Sequence, residues 1–274
     1  MKKNILITII VLIANITNVV FAQDNYAKIY YNDILIDNSG YSCKINNVVG
    51  LSTEIKFGLK ISNATNSFMI YNPQESTFTI NGKEVSITEK SKIIDPDKNK
   101  NWTINGVGVD MTKVKSFKFN FSGLYKITES EKAFKVDETK LPLAKNDFTF
   151  NNINCFVTIV EKSSKQTKLK VQIKNKSDQY LIVYPSRVAT KIGSSDDLYT
   201  CVSKKSEAIL IAPKESEEIT IVWERMPGGS KNDMQLRDMF VSWENVFFSA
   251  NTELLEKEEL EFNWNESLTI EKNK

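Results

Sequence analysis

Two stretches decide the fold: KFGLKISNATNSFMIYNPQESTFTI (residues 56–80) and KLKVQIKNKSDQYLIVYPSRVATKI (residues 168–192), which lie on each other without a gap. Lys56, Ile61, Asn63, Ile70, Pro73 and Ile80 have identical counterparts, and Phe57, Leu59 and Ile61 fall on Leu169, Val171 and Ile173. Apolar residues at every second position describe a strand with one dry and one wet face. FMIY falls on YLIV, and turn-forming clusters such as SNATNS, INGK and NKSDQ punctuate the strands.

The correspondence extends outward. NDILIDN (from Asn32) answers NDFTFNN (from Asn146), and Cys43 falls on Cys155. Downstream, IIDPDKNKNWTI (residues 93–104) falls on LIAPKESEEITI (residues 210–221). Asp95, Asp97 and Asn99 alternate as the ligands of a calcium loop do, but their counterparts are Ala212, Lys214 and Ser216, and Lys100 and Gly106 stand where such a loop needs glycine and a bidentate acid. The stretch reads as a proline turn between strands, and no metal site is assigned. SFKFNFSGLYK (residues 116–126) then falls on DMFVSWENVFF (residues 238–248), and AFKV (from Ala133) on LEFNW (from Leu260), which places one last strand in each half. TELLEKEEL (residues 252–260) reads as a solvated loop before the last strand of the second half.

Short alternating strands in units of about 110 to 125 residues, with no long helix, argue for an all-β chain of antiparallel sandwiches. In this order of motifs the chain resembles secreted bacterial proteins of tandem immunoglobulin-like domains, with residues 23–138 and 139–274 as the two domains and DETKLPLAKN (residues 137–146) as the joint. Neither half has the cysteine, tryptophan, cysteine spacing of true immunoglobulin domains, and a resemblance of architecture carries no functional residue with it.

Lys2 and Lys3 precede an apolar run over residues 5–13, and Val20 and Ala22 set a cut before Gln23. Residues 1–22 therefore read as a cleaved signal peptide and the protein as exported, periplasmic or extracellular. Gln23 is not a lipid-accepting cysteine, and no later run approaches the ~18 apolar residues of a membrane span. Of 36 basic and 34 acidic residues, the peptide removes two lysines and no acid, so the remaining chain has no net charge and no field that would recruit nucleic acid. The sequence holds no histidine, which removes the usual general base and metal ligand. No cofactor is expected.

The four tryptophans fall at apolar positions and read as core: Trp243 on Phe121, Trp102 on Ile219, Trp264 on Val136, and Trp223 in phase with Ile221. Cys155 and Cys201 allow a disulfide worth about 2–4 kcal/mol, with small buried thiols as the alternative; Cys43 has no second cysteine in its half. Beyond residue 22, five Asn-X-Ser/Thr triplets, beginning at Asn63, Asn101, Asn120, Asn175 and Asn265, are about as many as this composition produces by chance. The second half departs most from the first between Trp223 and Met239, where an insert carries Arg225, Met226, Gly228, Gly229 and Arg237. A flexible tip with arginine and methionine suits a protein or peptide partner. These readings combine as a non-catalytic binding or structural protein of the cell envelope, acting through end loops or sheet edges. A polysaccharide hydrolase using an Asp/Glu pair, or a surface adhesin or fibre subunit, are the alternatives.

Overall fold

The computed structural model describes residues 26–141, 145–202 and 207–274; the signal-peptide reading and the cut at Ala22 and Gln23 lie outside the described residues. The described chain is all-β, with antiparallel sheets compatible with a β-sandwich and one short α-helix.

A first core lies between two sheets. One has the order β1 (Ile29–Tyr30), β3 (Tyr41–Gly50), β4 (Glu54–Asn63), β9 (Asn99–Val107), with β2 (Ile34–Asn38) also paired to β3. The alternation read from the sequence places Cys43, Ile45, Phe57, Leu59 and Ile61 inward. Facing them is the sheet of β6 (Thr77–Ile80), β7 (Lys83–Ser86) and β10 (Ser116–Phe121), whose Phe78 and Phe119 meet Phe57 while Phe117 packs on Phe78. Ring centroids 5.1 to 5.6 Å apart at 70 to 78° join Phe57 to Phe78 and Phe119, the edge-to-face arrangement that aromatic quadrupoles favour.

The second core is built from corresponding residues. β13 (Asp147–Phe150), β14 (Ile153–Lys162), β15 (Gln166–Asn175) and β20 (Ser216–Glu224) form one sheet, and β17 (Ala189–Ile192), β18 (Tyr199–Thr200) and β21 (Met239–Ser242) belong to the other. Cys43 stands opposite Ile61 and Cys155 opposite Ile173; Leu59 stands opposite Trp102 and Val171 opposite Ile219.

The last strands are exchanged. The strand of Leu260, β23 (Glu258–Asn263), does not close the second core but pairs with β10 of the first, Phe117 opposite Phe262. Reciprocally β12 (Thr139–Leu141) pairs with β21, and Phe134 and Val136 pack on the second core. The sequence-based placement of AFKV and LEFNW each in its own half is thus corrected, and Leu260 and Phe262 correspond in the sheets to Thr139 and Leu141 instead of to residues of the AFKV stretch.

The cause of the exchange lies in a third sheet of order β19 (Ile209–Ile211), β16 (Leu181–Val183), β22 (Phe247–Leu254), β11 (Leu124–Glu129), β5 (Phe68–Tyr71), β8 (Lys92–Ile94). Its two halves consist of corresponding strands in mirrored order, and β11 and β22 meet antiparallel with Thr128 directly opposite Asn251. Each of these central strands runs straight past the other, so the chain that leaves it arrives beside the opposite core. Residues 252–254, read as loop, are part of this sheet because Thr252 pairs with Ile127.

Asn63 and Asn175 clamp a corner of each core. The Asn63 amide donates to the carbonyls of Ser67 (2.7 Å) and Asp95 (3.1 Å) while its oxygen accepts from the Thr65 N–H and hydroxyl. Asn175 donates to Gln179 (2.7 Å), Ile211 (3.2 Å) and Ala212 (3.3 Å) and accepts from Ser177. Both asparagines are buried, so their triplets are folding signals and not glycan acceptors. The stretch beginning IIDPD is accordingly a turn: Lys98 N–H bonds the Asp95 carbonyl, and Asp97 has φ 54°, as its counterpart Lys214 has φ 66°. Asn175→Ala strands several buried partners, and we expect a loss of about 2 kcal/mol or more, read as a lower urea midpoint at unchanged m-value.

The helix α1 (Glu266–Lys272), which no sequence signal singled out, is capped by Asn265, whose side chain accepts from Leu268 N–H at 3.0 Å. It leans on β1, where the Thr269 hydroxyl accepts from Tyr30 N–H at 3.0 Å. Trp102, Trp223 and Trp243 are core residues as expected, whereas Trp264 is half-buried at the edge of the first core, its indole N–H on the Thr269 hydroxyl and Lys115 5.2 Å from its ring.

Candidate functional site

The insert at residues 225–238 is less open than its composition promises. Gly228 (φ 109°) and Gly229 (φ 61°) make the sharp tip, but Met226 is turned into the second core, a correction to its reading as a contact residue. Asn232 fastens the tip by donating to Tyr199 Oη (2.9 Å) and the Pro227 carbonyl (2.6 Å), Asp233 accepts from the Ser164 hydroxyl (2.9 Å), and Lys162 donates to the Arg237 carbonyl (2.8 Å). The glycines, Arg225 and Arg237 therefore sit on a braced turn, and the prominent apolar side chain there is Leu236, 76% exposed.

The Cys155–Cys201 disulfide is not formed. Cys155 is a free, buried thiol on a central strand between Phe148 and Ile173, while Cys201 is tied by its N–H to the Val188 carbonyl and turns Sγ to the Pro185 carbonyl at 3.2 Å. Burial pushes the thiols of Cys43 and Cys155 up to about 12, so both stay protonated, inert core groups.

A recess with chemistry of its own lies where the two halves share a sheet. The outer face of the β5, β11, β22, β16 sheet carries Phe68, Ile70, Ile127, Ile182, Leu210 and Phe248, a third apolar cluster drawn from both halves. Along it runs a groove of about 650 Å³. Buried Phe68, Ile127 and Ile182 floor it; Asn66, Ser67 and the 95–98 turn stand at one side, and Tyr184, Glu207 and Ala208 at the other. Asp95, Asp97, Glu129 and Glu207 place four carboxylates on it against one cation, Lys98.

The Tyr184 side of the groove is tied to its neighbours. Tyr184 faces Glu129, and burial, with that carboxylate beside it, pushes the phenol up to about 12. Arg187 lies 3.6 Å from the Tyr184 ring centroid and 5.4 Å from that of Phe248, and its guanidinium donates to the Asn245 carbonyl. A smaller groove of about 300 Å³ occupies the corresponding place in the other half, lined by Ile70, Ser91, Tyr125, Tyr180 and Thr252 among others. There Tyr125 donates to Glu75 at 2.6 Å, a bond that raises the phenol to about 12.

Sequence reasoning did not find this groove. Its signal was the pair FMIY and YLIV, apolar at consecutive positions where neighbouring strands alternate, which is how strands covered on both faces read.

No family model and no curated protein matches the chain. Solved structures that align with it include red sea bream transglutaminase (9% identity, 84% of this chain and 32% of that chain, TM-score 0.22). Others are the Pseudomonas aeruginosa CupB2 chaperone (9%, 75% and 91%, TM-score 0.20) and the secreted serine protease VesC from Vibrio cholerae (8%, 88% and 54%, TM-score 0.20). The chain thus spans about a third of the transglutaminase's length. Likeness this slight says nothing of what the chain binds.

Proposed function

We propose that the protein is a non-catalytic, exported binding module of the cell envelope, made of two copies of one immunoglobulin-like sandwich unit with exchanged last strands, and that it holds its partner in the groove along their shared sheet. The carrying observation is the floor of that groove, where Phe68 and Ile127 of one half adjoin Ile182 of the other. A shared sheet and two exchanged strands favour a groove already formed before a partner arrives, so little of the binding energy is lost to ordering. Export rests on Lys2, Lys3, the apolar run and Ala22, and the absence of a lipid anchor on Gln23.

The hydrolase reading gains one observation, four acids on a single groove. Against it, Asp97, Glu129 and Glu207 are exposed and Asp95 is half-buried, so none has the apolar enclosure that keeps a proton-donating carboxyl protonated.

Ala208→Trp fills the groove without burying a charge. Chemical cross-linking of the protein to envelope extracts is expected to give a discrete adduct that Ala208→Trp loses and Leu236→Ser on the braced loop retains. An adduct kept by Ala208→Trp and lost by Leu236→Ser would return the contact to the loop.

A further inference from the structure

We infer that the groove's occupant is an extended peptide segment in which a lysine or arginine adjoins an apolar side chain, an inference that rests on the groove being the contact surface. The two halves supply an internal control. The floors of the two grooves match, Ile70 answering Ile182 and Tyr180 answering Phe68. The rims do not. Asp95 corresponds to Ala212 and Asp97 to Lys214 in the aligned turns, Glu207 to Lys90 beside the aligned β8 and β19, and Glu129 to Thr252 in the mirrored central strands.

Each carboxylate of the large groove is thus neutral or basic at its counterpart, and Lys98, the single cation, answers to Glu215. The strand framework needs none of these four acids, since the corresponding turn and strands form without them. Their charge is therefore available to a ligand. In a chain with no net charge outside its leader, three surplus carboxylates along one recess make a local negative field that reaches about a Debye length, ~8 Å at physiological salt. An apolar floor selects an apolar side chain, and the acidic rim selects a cation beside it. A volume of about 650 Å³ holds a few side chains rather than a folded domain.

Fluorescence anisotropy with a labelled eight-residue peptide of alternating lysine and leucine, and with its glutamate–leucine counterpart, tests this on the full chain. The lysine peptide is expected to bind and the glutamate peptide not to. The double variant Asp97→Asn/Glu207→Gln should weaken the lysine peptide about tenfold, Ala208→Trp should abolish binding, and Glu84→Gln on exposed β7 should leave it unchanged. Failure of the lysine peptide to bind, equal binding of both peptides, or equal weakening by Glu84→Gln overturns the basic-peptide inference. If Ala208→Trp still removes the cross-linked envelope adduct while the double variant binds the lysine peptide as the parent does, the groove stands and the ligand class falls. If neither variant has any effect, both fall.

Discussion

Phe262→Ala is expected to destabilise the protein by about 3–5 kcal/mol and to do so in the first core, although the residue sits in the last strand of the chain. Its ring is fully buried, stacked on Phe117 with centroids 4.9 Å apart at 7° and on Phe57 at 6.0 Å and 17°. No neighbour fills the space a missing ring leaves, because Phe57, Phe78, Phe117 and Phe119 are already held against one another. Hydrogen exchange locates the damage: protection should fall in residues 41–63 and 116–121 and persist in residues 153–175. Loss confined to the second group would place the last strand with the wrong core.

The second large effect concerns which piece of the chain folds alone. Cut at the boundary between sequence repeats, residues 139–274 lack Phe134 and Val136 and carry β23 and α1 with no β10 or β1 to receive them. Cut at the crossing point instead, residues 130–251 keep the same buried residues, from Leu141 to Phe247, and β12 on β21, and add Phe134 and Val136, with the Phe134 N–H on the Phe247 carbonyl. The second piece is expected to be cooperative. Ile182, Leu210 and Phe248 then lose the first half's cover, so its stability will be lower than that of the whole chain and its solubility will fall.

Much of this architecture was legible in the chain. Period-two alternation gave the strands because one face of each sheet is wet, and the gap-free match across Asn63 and Asn175 gave corresponding corners because the same amide clamp is needed in both. The exchange was not legible. Sequence comparison sees which segments resemble one another but not which core each one reaches, and β23 offers the same alternating Leu260 and Phe262 to either. The candidate loop was legible only in part: Met226 and the glycine pair read as a flexible contact surface, whereas Asn232 and Asp233 fasten the turn and the methionine goes inward. The groove was hidden because its floor is assembled from residues far apart in sequence, each of which reads as ordinary core.

The most direct test of the exchanged strands sets the two fragments side by side in urea, followed by far-ultraviolet circular dichroism and by the tryptophan fluorescence of Trp223 and Trp243, which both contain. Residues 130–251 should unfold in one cooperative transition with the tryptophans shielded beforehand, and residues 139–274, which keep β12 but lack Phe134 and Val136, should unfold at a lower urea midpoint. A higher midpoint for 139–274 than for 130–251 would contradict the exchange and restore β23 to the second half.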